Sequence, residues 1–274
     1  IAPAIPTIHL GVQRRLHQPT PMRRLIWNAN SASSVFEIMT KPPFQIDLWF
    51  ASLADGRIDR EWAAAQLSTA ESSRANQFRF DRDRDHYIVS HALLRRVLAD
   101  QLNLSPTAIL FEKGPAGKPR LAADHGSPIE FNLSHSGDQA MIGVTTDGPI
   151  GVDIESVSRS VDQAEIVNRF FSPREKSEWN QLSLADRSDA FFRTWTRKEA
   201  YVKARGNGLG HDSERYTVDF QSKFPTPLIS DDLDPDAAQN YWIIPVAAPN
   251  GYRAACAAKM DLDHQITCDL HELV

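Results

Sequence analysis

One order of patterns occurs twice along this chain, and that recurrence limits what it can fold into. Gln45-Ile46-Asp47-Leu48-Trp49-Phe50 alternates with the two-residue period of a strand. Helical regions are expected over 61–78 and 85–102, the second with Ile88, Ala92, Leu93 and Val97 at near-helical spacing. Ser105-Pro106 reads as a further helix start, and strands are expected at 129–133 and 140–145. The series then begins again with a strand at 150–155 and helices at 161–170, 173–181 and 186–204. The middle helix has Ser172 as its N-cap, Pro173 in its first position and Glu175 two residues later. Arg205-Gly206-Asn207-Gly208 is a helix stop, and strands follow at 216–220, 241–245 and 252–258. No close sequence repeat accompanies the recurrence. The expectation is an α+β fold of two halves of similar plan, 46–150 and 151–274, with the active site in the cleft between them.

Residues 1–45 stand outside that plan. They hold six prolines, five Arg or Lys and a single acid, Glu37, and they have little periodicity, so an irregular N-terminal extension is expected. Their basic, acid-poor composition loosely resembles a transit peptide, although an upstream-extended start is the preferred reading. The rest of the chain carries 25 basic and 34 acidic residues, which gives no support to nucleic-acid binding. No apolar run is long enough to cross a bilayer. Cys256 and Cys268 lack metal-ligand spacing and suit a reducing, cytoplasmic setting.

The chemistry concentrates in two segments. Gly151-Val152-Asp153-Ile154-Glu155 puts two carboxylates on one face of a strand. Trp195-Thr196-Arg197-Lys198-Glu199-Ala200-Tyr201-Val202-Lys203 puts Glu199 and Lys203 on one face of a helix. Three carboxylates and an ammonium suit Mg²⁺ held together with a phosphate, provided the segments meet. The blander readings are a solvated strand edge for Asp153 and Glu155, and a surface i,i+4 pair for Glu199 and Lys203. Trp195 is expected to pack, and Lys198 to be structural or adjacent to phosphate. Ser134 and His135 do not form a nucleophile and base, because neighbours in a strand point to opposite faces. Gly114-Pro115-Ala116-Gly117-Lys118-Pro119 is not a nucleotide-binding P-loop, since the required pattern breaks at Pro119.

Gly117-Lys118-Pro119, Asn132-Leu133-Ser134-His135-Ser136-Gly137, Gly151–Glu155 and the block ending at Lys203 occur in one order and at characteristic separations. Together with Glu71-Ser72-Ser73-Arg74-Ala75 and Phe170-Phe171-Ser172-Pro173-Arg174-Glu175, the set resembles the 4′-phosphopantetheinyl transferases. The likeness is to the larger pseudo-dimeric kind that activates peptide and polyketide synthases, and it covers roughly residues 46–260.

The resemblance implies pseudo-twofold symmetry and a monomer, since two fused halves already supply the interface. It implies transfer of the 4′-phosphopantetheine arm of coenzyme A to a serine of an apo acyl or peptidyl carrier protein, with Mg²⁺ (or Mn²⁺) required and adenosine 3′,5′-bisphosphate released. Asp153, Glu155 and Glu199 would hold the metal. Lys203 would reach the diphosphate, and His135 with Ser134 the 3′-phosphate. Lys118, with Arg120 beside it, and Arg74 would bind the coenzyme. His86 stands where relatives commonly carry an arginine that contacts the nucleotide. Glu199 is read as the general base, with Glu155 acting through a water as the alternative. The competing readings are a Mg²⁺-dependent nucleotide or diphosphate hydrolase and a non-catalytic carrier-binding module.

Overall fold

The computed structural model describes residues 23–28, 42–54, 56–206, 212–261 and 265–273. Its first half begins with strands β1 (Arg23–Asn28) and β2 (Phe44–Ser52), followed by helices α1 (Arg60–Gln66), α2 (Thr69–Ala75) and α3 (Asp81–Leu102). A short hairpin of β3 (Phe111–Lys113) and β4 (Pro119–Leu121) leads to β5 (Glu130–Ser136) and β6 (Gln139–Thr145). The second half runs β7 (Ile150–Ser156), α4 (Gln163–Phe170), α5 (Pro173–Asn180) and α6 (Leu184–Arg205). Short strands β8 (Tyr216–Thr217), β9 (Thr226–Pro227) and β10 (Ser230–Asp231) precede the small helix α7 (Ala237–Asn240). The chain then forms β11 (Tyr241–Val246), β12 (Tyr252–Lys259) and β13 (Gln265–Leu273).

The two halves share a plan, as the recurrence predicts. Within a sheet ordered β1-β13-β2-β6-β5, the trio β2-β6-β5 matches β7-β12-β11 of the sheet ordered β7-β12-β11-β9. Each half also carries a 22-residue helix, α3 or α6. Alternation decides what each strand face meets. Phe44, Ile46 and Leu48 of β2 join Ile266, Cys268 and Leu270 of β13 in a core shared with Val152 and Ile154 of β7 and Ile244 of β11. Trp49 and Ala51 face the other way, onto Leu93, Val97 and Leu98 of α3. On the far side of the second sheet, Ala200, Tyr201 and Ala204 of α6 pack with Ala255 and Ala257 of β12 and Ile243 of β11.

Several expectations need correction. The helix expected over 61–78 is two helices, because Ser68 caps α2 through a reciprocal capping box with Glu71 and so ends α1. Glu71 also pairs with buried Arg95 at 2.7 Å, which ties α2 to α3. Ser105-Pro106 opens a single 3₁₀ turn. Within the expected irregular extension, Arg23–Asn28 is a strand antiparallel to β13. Of residues 1–45, all but 23–28 and 42–45 lie outside the described residues. The division at residue 150 also fails at the far end: β13 returns to the first sheet and pairs in parallel with β2. Among the described residues no helix is long and apolar enough to cross a membrane. Cys256 and Cys268 are free and buried, and burial pushes both thiols up.

Candidate functional site

Two local features bring the carboxylates to α6. The first is Gly151, the residue of β7 over which the helix passes. A Cβ there would collide with the Ala200 carbonyl oxygen and the Ala204 amide nitrogen, so only glycine allows this approach. The second is the helix end: Gly206, at φ 72°, caps α6 and its N–H bonds to the Val202 carbonyl at 3.0 Å. Lys203 therefore stays in the last helical turn, level with Asp153.

Asp153 and Glu155 share the α6 side of β7, and Val152 and Ile154 fill the core behind them. The blander reading of a solvated edge is excluded, since every residue of β7 is buried. Lys203 Nζ lies 2.6 Å from Asp153 Oδ1 and 3.0 Å from Ser134 Oγ, and the Ser134 hydroxyl donates to the same Oδ1 at 2.9 Å. Glu155 accepts from Ser136 Oγ at 2.6 Å on Oε2 and from Arg159 at 3.0 Å on Oε1. Glu199 is also buried, and among the described residues none donates a hydrogen bond to its carboxyl. Glu199 and Lys203 are thus not a surface pair, because Lys203 bonds across to β7.

The charges act on one another. Burial first, then Asp153, pushes the Glu199 carboxyl up to about 8; Lys203 opposes this and Glu155 adds to it. Burial also raises Asp153, with Lys203 pulling down and Glu155 pushing up. His135 stands at the exposed side of β5, yet desolvation and the neighbouring charges of His91, His86 and Lys203 lower it from its ordinary value. His135 thus lies within electrostatic reach of both Lys203 and the imidazoles of α3.

The remaining sequence candidates fall at different distances from this centre. His86 is buried on α3, with Nε2 3.4 Å from Asp138 Oδ1. Lys118 donates to the Ile150 carbonyl at 2.8 Å, beside Gly206, and burial lowers its ammonium. Arg120 pairs with Glu112 at 3.0 Å on the exposed β3–β4 hairpin. Arg74 donates to Gln77 at 3.0 Å and lies over the Phe78 ring. Neither arginine contacts the carboxylate cluster.

Lys198 has a structural role. It is fully buried, 2.8 Å from Glu175 Oε2 and 2.7 Å from the Tyr216 carbonyl. Trp195 packs edge-on to Phe170 and stacks on Phe191, as expected. Sequence reasoning missed Ser136 and Arg159, both on Glu155. The polar alternation Asn132-x-Ser134-x-Ser136 along β5 was the available signal for the serine.

The expected metal triad needs one correction. Among the described residues no three His, Cys, Asp or Glu side chains form a ready-made metal cage. Lys203 takes one oxygen of Asp153, while Ser136 and Arg159 hold Glu155. The donor set nonetheless fits a hard cation. Among the described residues Asp153 Oδ2 is buried without a hydrogen-bond partner, and burial with neighbouring carboxylate charge raises Asp153 and Glu199, a strain that a cation there would relieve.

Comparison with known proteins agrees with the geometry. A family described as the 4′-phosphopantetheinyl transferase superfamily matches residues 149–257, and its N-terminal counterpart, 4′-phosphopantetheinyl transferase, N-terminal, matches residues 57–146. The chain is 35% identical over 166 residues to the 4′-phosphopantetheinyl transferase HetI of Nostoc sp., covering 60% of this chain and 70% of that one. It is 34% identical over 145 residues to slr0495 of Synechocystis sp., covering 53% of this chain and 59% of that protein. To the L-aminoadipate-semialdehyde dehydrogenase-phosphopantetheinyl transferase of Homo sapiens it is 32% identical over 193 residues, covering 64% of this chain and 59% of that one. The matched region thus spans a little under two thirds of the Synechocystis and human proteins. With its two halves matched in order and HetI covered beyond two thirds, this chain belongs to the 4′-phosphopantetheinyl transferase family.

Proposed function

We propose that this protein transfers the 4′-phosphopantetheine arm of coenzyme A to a serine of an apo acyl or peptidyl carrier protein, working as a monomer. The observation that carries the reading is the meeting of Asp153 and Glu155 on β7 with Glu199 and Lys203 on α6, beside the Ser134-His135 pair of β5. Asp153, Glu155 and Glu199 are the residues to hold Mg²⁺, with Mn²⁺ as a substitute. When bound, the cation supplies charge neutralisation at the diphosphate.

The residues of the chain account for the rest. His135, with His86 near it, meets the 3′-phosphate, while Ser134 on the opposite face of β5 keeps its hydroxyl on Asp153. A phosphate there opposes the environment that lowers His135 and so favours its doubly donating form. Lys203 neutralises the diphosphate, and Lys118 lines the approach. Arg74 and Arg120 are the outlying coenzyme contacts. The carrier serine oxygen attacks the phosphorus attached to the pantetheine arm. A new P–O bond forms, the bridging P–O bond of the diphosphate breaks, and adenosine 3′,5′-bisphosphate leaves with the bonding pair. Glu199 takes the serine proton. Its carboxyl accepts no bond from a described residue, whereas Glu155 is already held by Ser136 and Arg159.

Intact-mass spectrometry of an apo carrier protein incubated with the enzyme, coenzyme A and Mg²⁺ tests this. A mass gain of one phosphopantetheine, abolished by chelator, is the expected result. If several unrelated carriers show no gain although coenzyme A binds, the transfer reading is rejected in favour of a carrier-binding module.

A further inference from the structure

Strand β7 is the edge of its sheet, paired with β12 on one side only. Its other edge is met by side chains of β5. Asn132 Oδ1 accepts from the Val152 N–H at 2.9 Å, Ser134 Oγ from Ile154 at 3.4 Å, and Ser136 Oγ from Ser156 at 3.2 Å. Each acceptor sits 20 residues before its donor, so the row has a single register along two parallel stretches of chain. Alternate β5 side chains here do the work of a strand backbone, joining one half to the other.

The row has a second output. A hydroxyl has one proton to give and two lone pairs to receive with. Having accepted from the β7 backbone, Ser134 spends its proton on Asp153 and Ser136 spends its proton on Glu155, at 2.6 Å. Asn132 reaches the backbone but no carboxylate. Glu155 is long and flexible, and its other described partner, Arg159, comes from an exposed side chain. Ser136 is the only partner of Glu155, among the described residues, that is itself anchored to the strand carrying Glu155.

Resting on the reading above, we propose that Ser136 is a positioning residue: it fixes the Glu155 carboxylate for the divalent cation while reading the register between the two halves. Neighbours that hydrogen-bond ligating carboxylates orient them and raise affinity.

The test uses the full chain with Mn²⁺ alone as the probe, followed by paramagnetic resonance without coenzyme A or carrier. Ser136→Ala should bind Mn²⁺ about tenfold more weakly, in line with lost outer contacts at other metal sites. Ser136→Thr, which keeps the hydroxyl, should stay within about threefold of the parent protein. Asn132→Ala removes a register contact without touching a carboxylate, so it should lower the melting temperature and leave Mn²⁺ affinity within about threefold. The proposal is overturned if Ser136→Ala loses less than about threefold, if Ser136→Thr is as weak as Ser136→Ala, or if Asn132→Ala loses as much as Ser136→Ala. Absence of Mn²⁺ binding by the parent protein overturns it too. Should Ser136→Ala fail to fold by circular dichroism, Ser136→Cys, nearly isosteric and a weak donor, carries the same comparison. Phosphopantetheine transfer is assayed in parallel: a parent protein that binds Mn²⁺ but modifies no carrier defeats the proposed function and leaves the Ser136 comparison standing.

Discussion

Glu199 is the side chain whose environment has the largest consequence. With its folded-state value raised to about 8 from 4.5, the folded protein holds that proton more tightly than the unfolded chain. The resulting stabilisation is fully present below about pH 4.5 and is lost as pH rises through about 8. Its size is roughly 3–5 kcal/mol, taken as an upper range for a carboxyl buried among other acids. In chelator, thermal melts from pH 5 to 9 should show Glu199→Gln gaining on the parent protein as pH rises; in a separate assay with Mg²⁺, its kcat/KM for transfer should fall by at least about 100-fold. A flat difference across that range would mean that Glu199 is ionised and already compensated. Much of this centre was legible beforehand. The two-residue spacing of Asp153 and Glu155, with apolar Ile154 between them, gave the shared face, and the four-residue spacing gave Glu199 and Lys203. What spacing could not give was partners. That Lys203 would bond to Asp153 rather than Glu199 depends on the rotation of α6 over Gly151, a tertiary quantity.

At the scale of elements, α6 is held by more than its apolar stripe. Lys198 enters a buried cage in which Glu175, the capping residue of α5, also accepts from Ser172 N and Val218 N at 2.8 Å each. One carboxylate thereby joins α5, α6 and the strand region after Tyr216. Lys198→Met would leave the buried Glu175 carboxyl without its countercharge, at a cost of about 3–5 kcal/mol. Urea denaturation should show that loss, and adding Glu175→Gln should recover part of it, since a neutral amide tolerates burial better. The KM for coenzyme A should stay near the parent value wherever Lys198→Met is folded. A raised KM with unchanged stability would instead move Lys198 to the phosphate. The sequence pointed to the α5 cap through Ser172 and Glu175, but its partner 23 residues on was invisible, because neither residue alone signals burial. The break between α1 and α2 was legible in principle, as Ser68-x-x-Glu71 is a capping box lying inside a continuous helical pattern.

The two halves read from the sequence are similar in plan but not separable, and the reason lies in β13. This strand runs between β1 and β2, so the last described segment of the chain completes the first sheet. Its pattern of Ile266, Cys268 and Leu270 alternates as a strand should, yet the recurrence of the two halves supplied no counterpart for it and it was overlooked. Those three side chains are buried in the core between the sheets, where each apolar side chain of this size contributes about 1.5–3 kcal/mol. Their sum is comparable to the whole stability of a typical domain, about 5–15 kcal/mol. Because that core takes residues from β2, β7, β11, β12 and β13 together, losing one strand exposes both sheets at once. The intact chain should therefore unfold in a single calorimetric transition. Truncation after residue 261 should yield protein without a cooperative transition in either half, with Asp153 and Glu155 no longer held against α6. Two separate transitions in the intact chain, or a truncated form that still melts cooperatively and binds Mn²⁺, would show that the halves fold independently and that β13 is only an added edge.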